Sequence, residues 1–232
     1  MSNFRVYNPN LCPDLWNEQL QLDPKVRINL VRMANDFYEK SKFPTPIIDI
    51  YLMGSISNFN WTPESDVDVH VIIDYTKLQM PSETAIKAVK TVSANWNLEH
   101  TILVKKHKVE MNFQNVHELK PHVTGIYSLM KDQWIRKPSQ QNIQVDKVAI
   151  QSKFSGLKTY IQTAIKSQNI EVMKKAKEYV DSFRQYGLDH NGELSIENIV
   201  FKILRSKGLI TALKNAITTE YDKEMSVNYT RP

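Results

Sequence analysis

Along residues 24–41 the apolar side chains recur at helical spacing. Val26, Leu30, Val31, Met33, Ala34, Phe37 and Tyr38 fall on one side, which predicts an amphipathic helix from Pro24 to Ser41. Pro44-Thr45-Pro46 stops it, because proline removes a backbone donor and crowds the preceding turn. The pattern then changes. Ile47 to Met53 is a short apolar run of the kind found in buried strands, and Gly54-Ser55 ends it. Ile56 to Ser65 mixes Ser, Asn, Trp, Thr and Pro and reads as a loop or short helical turn. From Asp66 to Asp74 the chain reads DVDVHVIID. That alternation sends Asp66, Asp68 and His70 to one face of a strand and Val67, Val69 and Val71 to the other.

Ser82 to Trp96 places Ala85, Ile86, Val89, Val92 and Trp96 on one helical face, behind a candidate cap at Ser82. Thr101–Val104 and Lys108–Phe113 read as strands joined by a turn at Lys105-Lys106-His107. Gly125 to Ile135 adds a hairpin or edge element, closed by Pro138. The order helix, strand, strand, helix, strand, strand implies a mixed sheet with helices packed on one face. After about Asn142 the pattern is helical throughout: Val145–Ile165, Ile170–Tyr186, Ser195–Lys207 and Leu209–Thr219. Gly187 and Gly208 read as helix ends, and Ser195 with Asn198 as an N-terminal cap. The expected class is α+β: a catalytic domain over residues 1–140 and a helical bundle over 141–232, with the boundary near 138–145.

Composition adds little to this frame. The 232 residues suffice for one sizeable core or for two smaller ones. No apolar run approaches the roughly 20 residues of a membrane span. The opening MSNFRVYNPNLCPDLW has no basic stretch followed by an apolar one, so no secretory leader is expected. The single cysteine, Cys12, excludes an internal disulfide and fits a reducing, cytoplasmic setting. With no His or basic cluster near it in sequence, Cys12 reads as a buried bystander thiol. The formal net charge of +5 permits a polyanionic partner without demanding one.

The chemistry concentrates around Gly54-Ser55 and Asp66-Val67-Asp68-Val69. A glycine at the end of a strand lets the backbone come close to a phosphate, and the serine hydroxyl and nearby amides can bond its oxygens. On the next strand Asp66 and Asp68 share a face, about 6–7 Å apart. Two such carboxylates repel unless a cation sits between them. Hard oxygen donors suit magnesium, which is held by one or two carboxylates and substrate phosphates. Two-metal phosphoryl transfer needs a further acid, and Glu110, in Lys108-Val109-Glu110-Met111-Asn112, is the best candidate.

At these residues the chain resembles the DNA polymerase β-like nucleotidyltransferase superfamily. The resemblance lies in GSISNFNWTPESDVDVHV followed by VEMNF. It is specific over Ile47 to Asp74 and looser through Phe113. It implies that Gly54 and Ser55 bind the β- and γ-phosphates of a nucleoside triphosphate. It further implies that Asp66 and Asp68 hold two magnesium ions, and that Glu110 completes the catalytic metal site and helps deprotonate an acceptor hydroxyl. The sequence departs from the family in its third acid, often Asp and here Glu. The expected activity is transfer of a nucleoside monophosphate to a hydroxyl. The basic balance and the helical half favour RNA, at a 3′ end, as acceptor. A small molecule or protein hydroxyl, or a catalytically silent nucleotide-binding module, is the alternative.

Other residues take plainer readings. His70 is expected to be structural, and His100, His107 and His117 lack metal-ligand spacing. Trp61 is expected either to stack on a base or to pack beneath its loop. Lys105, Lys106 and Lys108 read as a solvated turn. Lys174, Lys175, Lys177, Arg184, Lys202, Arg205, Lys207 and Lys214 make the helical half basic, and Tyr160, Tyr179 and Tyr186 read as core.

Overall fold

The computed structural model describes residues 8–118, 125–139 and 146–227. These fall into two compact units, one holding residues 8–139 and the other 146–227. The domain boundary expected near 138–145 lies largely outside the described residues.

The first unit carries helix α1 (Pro24–Ser41), β1 (Asp49–Met53), β2 (Val67–Ile73), α2 (Ser82–Glu99), β3 (Leu103–Val104), β4 (His107–Asn115), β5 (Ile126–Ser128) and β6 (Gln133–Arg136). The strands form a six-stranded mixed sheet in the order β3-β4-β2-β1-β5-β6. Strand β2 is antiparallel to β1 and parallel to β4. A parallel pair needs a crossover, and α2 lies in it. Val67, Val69 and Val71 of β2, Ile50 and Leu52 of β1, and Val109 and Met111 of β4 share one core with α1 and α2. The opposite side of β2 carries Asp68 and His70.

Local chemistry sets the ends of α1. The Asp23 carboxylate accepts from the backbone N–H groups of Lys25 and Val26 at 2.8 and 3.3 Å, and Pro24 opens the helix. At α2 the cap differs from expectation. Ser82 is the first helical residue, Pro81 precedes it, and no side chain caps this end. The helix also runs on past Trp96 to Glu99. It covers the open edge of β4 beyond β3. The Asn97 amide donates to the Met111 carbonyl at 3.0 Å, and its oxygen accepts from the Met111 N–H at 2.9 Å. The Ser93 hydroxyl oxygen accepts from the Phe113 N–H at 3.3 Å. One side-chain amide thus reproduces both bonds of a neighbouring strand residue. His107, expected in the turn, is the first residue of β4 and is buried.

The second unit packs α3 (Lys147–Lys166), α4 (Ile170–Asn191), α5 (Ile196–Ser206) and α6 (Leu209–Met225) around their own core of Phe154, Leu157, Ile161, Met173, Val180, Val200, Leu204 and Leu213. Ser195 caps α5 by accepting from the Asn198 N–H. Gly208 sits in the left-handed region (φ 71°) between α5 and α6. Gly187 does not end α4; it lies within it. A Cβ there would come within 2.5 Å of both the Glu197 Cβ and the Ser195 Oγ, so the glycine marks a close approach to the start of α5. The three tyrosines read as core are exposed instead, Tyr160 at 41%, Tyr179 at 54% and Tyr186 at 58%. Among the described residues no helix is long and apolar enough to cross a membrane.

Two glycines in helices should behave oppositely. Gly187→Ala should destabilise the helical unit by about 1–3 kcal/mol through overpacking. Gly156→Ala, at an exposed α3 position with nothing within 4 Å of the added Cβ, should stabilise it by about 0.5–1 kcal/mol. Urea unfolding of the two variants checks the pair.

Candidate functional site

Strand β2 has a partner on each side, and that fixes what stands beside its polar residues. On one side Asp68 pairs with Met53, the residue before Gly54. On the other it pairs in parallel register with Glu110 of β4. Strands in such a ladder lie about 4.8 Å apart, and residues in register point to the same face. Asp66 stands two positions ahead of Asp68, just before β2 begins. Asp66, Asp68 and Glu110 are each partly exposed, while Val67, Val69 and Val109 between them are buried. Lys108, also on this face, approaches Glu110 Oε1 at 3.4 Å. Its charge is partly solvated, so the pair is weak.

Gly54 is bound to this arrangement by space. Its φ is 77°, in the region that favours glycine. A Cβ there would collide with Asp68 Oδ2 and lie 2.9 Å from Asp68 Cγ. The backbone at the end of β1 therefore passes directly against the Asp68 carboxylate. From Ser55 to Ser57 the chain makes one short 3₁₀ turn. The Asn58 amide donates to the Gly54 carbonyl at 2.6 Å and accepts from the Gly125 N–H at 2.7 Å. The Ser55 and Ser65 hydroxyls are 2.7 Å apart, and Ser65 Oγ also accepts from the Thr62 N–H. With Ser65 as donor in that pair, the Ser55 hydroxyl keeps its own proton to donate to another acceptor. The loop between Gly-Ser and the aspartates is thus cross-braced.

One rung along the same strands, His70 pairs with Asn112 on β4 and with Tyr51 on β1. His70 and Asn112 line a cavity of about 340 Å³ with Tyr75, Ser93, Asn97 and Gln114. Burial and the nearby Asp49 charge push the Tyr51 phenol up, so it remains a proton donor across the neutral range. A larger cavity of about 700 Å³, lined by Asp14, Trp16, Lys105 and Tyr127 among others, contains none of the three acids. Trp61 packs partly against the core, and its indole N–H donates to the Asn10 carbonyl at 2.9 Å. Lys105 forms an ion pair with Asp23 at 3.5 Å.

The donor set tests well for a hard divalent cation. It offers carboxylate oxygens on one polar face, with a glycine backbone beside them and no sulfur. Sequence reading did not find His70, Asn112 and Tyr51 as a group, because only strand pairing brings them together. It also set Cys12 and His107 aside, although they are in contact.

No family model matches the chain, and no curated protein matches it. Among solved structures it is similar to a STING-associated CdnE c-di-GMP synthase from Capnocytophaga granulosa, at 11% identity over 87% of this chain and 84% of that one, with a TM-score of 0.21. A likeness that weak leaves fold and site to rest on the chain's own residues.

A cation held by these acids should be visible without catalysis. Magnesium at about ten times its Kd should stabilise the chain by about 1.4 kcal/mol, or roughly 3–5 °C in Tm. Differential scanning fluorimetry should show this shift for the wild type and none for Asp66→Asn/Asp68→Asn. Gly54→Ala should abolish the shift and cost about 1–3 kcal/mol in urea unfolding, from its backbone conformation and the displaced carboxylate.

Proposed function

We propose that this chain is a magnesium-dependent nucleotidyltransferase that moves a nucleoside monophosphate from a triphosphate onto an acceptor hydroxyl. One observation carries the reading: the parallel register that sets Asp68 beside Glu110, with Asp66 two residues upstream and the Gly54 backbone against Asp68. The likeness of the GSISNFNWTPESDVDVHV segment to polymerase β-like enzymes supports it.

In this reading Asp66, Asp68 and Glu110 hold two magnesium ions. Bound there, the metal would supply charge stabilisation for the phosphates and would make the acceptor hydroxyl easier to deprotonate. The remaining steps belong to the chain. Gly54 lets the triphosphate approach the backbone, and Ser55 donates its hydroxyl to a β- or γ-phosphate oxygen. Asp66 and Asp68 would hold the metal against which the α-phosphate is oriented for in-line attack by the acceptor oxygen. Glu110 takes the acceptor proton on its carboxylate. The acceptor oxygen bonds to the α-phosphorus, the bond to the bridging oxygen breaks, and pyrophosphate leaves. The acceptor we propose is RNA, engaged at a 3′ hydroxyl. The basic residues of the helical unit and the net charge of +5 support it.

The test is transfer of label. The protein is incubated with each α-labelled nucleoside triphosphate, magnesium or manganese, and total RNA, beside an Asp66→Ala/Asp68→Ala variant. Wild type should label RNA, and the variant should fall by at least about 10²–10³-fold. Label appearing only on protein or on a small hydroxyl compound would replace RNA as the acceptor. Nucleotide binding without any transfer would indicate a silent binding module, and absence of metal-dependent nucleotide binding would sink the proposal.

A further inference from the structure

Away from the three acids, a second set of potential ligands converges at the start of β4. Cys12 Sγ lies 3.4 Å from His107 Nε2, and Asp14 Oδ2 lies 3.6 Å from the same nitrogen. All three ligand atoms are within 4.8 Å of one another. On its other nitrogen, His107 Nδ1 is 2.7 Å from the Ser65 carbonyl oxygen. A carbonyl only accepts, so Nδ1 carries the proton, and in the neutral ring Nε2 presents its lone pair to the sulfur and the carboxylate. A bond of this kind on the far ring nitrogen orients a metal-bound histidine.

The sulfur–nitrogen and nitrogen–oxygen separations are close to those of ligands around a tetrahedral ion, and the sulfur and carboxylate oxygen lie within 4.8 Å of each other. Bonds of about 2.3 Å to sulfur and about 2.0–2.1 Å to nitrogen and oxygen put S and N roughly 3.6 Å apart and N and O roughly 3.3 Å apart. Cys12 and His107 are buried, while the Asp14 side chain is 43% exposed and lines the larger cavity, so the cluster reaches solvent through Asp14. Burial pushes the Cys12 thiol up, and the Asp14 charge adds to this, while the N–H groups of Asp14 and Leu15 bond the sulfur and act the other way. A cation there would reverse the net effect by favouring the thiolate.

We infer that Cys12, Asp14 and His107 form a binding site for one zinc ion, separate from the carboxylate site. The mixed sulfur, nitrogen and oxygen donors select a borderline-soft ion over magnesium. The zinc ties the 12–14 segment to the first residue of β4. Through His107 it also holds the Ser65 carbonyl, one residue before Asp66. This inference stands whether or not the chain transfers nucleotides.

Cobalt(II), a spectroscopic stand-in for zinc, tests it on the reduced, metal-free chain. The expected result is saturation at one cobalt per chain, with a thiolate-to-cobalt charge-transfer band in the near ultraviolet and tetrahedral bands in the visible. Equimolar zinc should bleach both. The bands should persist in Asp66→Asn/Asp68→Asn and vanish in Cys12→Ser. Asp14→Asn, a near-isosteric change at an exposed position, removes a charged ligand and should weaken cobalt binding by more than roughly 10-fold. No charge-transfer band in the wild type would overturn the site and leave a thiol hydrogen-bonded to His107. A band unchanged in both Asp14→Asn and His107→Gln would overturn it as well, by reducing it to a lone reactive cysteine.

Discussion

Strand β2 is flanked on both sides, and its valines are locked into the core beneath α1 and α2. A strand held in this way cannot slip. Moving its register by one residue would turn Val67, Val69 and Val71 toward the polar face and Asp68 and His70 into the core. Burial of those valines therefore fixes where the carboxylates stand. The parallel ladder with β4 brings in Glu110 from more than forty residues away. The antiparallel ladder with β1 brings Gly54 against Asp68. Apolar packing on one side of the sheet thus specifies a charged arrangement on the other.

That arrangement is costly by itself. Like-charged carboxylates on one face repel, and the pair Lys108 makes with Glu110 is partly solvated and weak. The surrounding loop is correspondingly braced. Asn58 bonds to Gly54 and Gly125, Ser65 to Ser55 and Thr62, and His107 to the Ser65 carbonyl. These contacts hold the Gly-Ser turn and the approach to Asp66 in place beside the acids.

Much of this could be read from the chain. Strict alternation through DVDVHV marked β2 and the face of its acids, and the helical spacing of Val26 to Phe37 marked α1. The helices after residue 146 follow their apolar periodicity closely. What could not be read depends on contacts between distant residues. Cys12 and His107 are 95 positions apart and gave no local signal. Gly187 looks like a helix end in sequence, yet it is there because Ser195 and Glu197 leave no space for a side chain. Tyr160 and Tyr179 suit a core by composition, but aliphatic residues with Phe154 and Phe201 fill it. Their rings meet edge to face at 5.6 Å on the surface.

The Asn97 amide at the edge of β4 has one more consequence. A sheet edge invites the strand of another molecule, and β3 is only two residues long, too short to screen β4. Asn97 presents a donor and an acceptor where an incoming strand would present its own, so that place in the ladder is already occupied from within the same chain. At this edge Asn97 and Ser93, both on α2, hold the places an incoming strand would take, so their loss would expose the β4 backbone to strand addition while leaving every core residue unchanged.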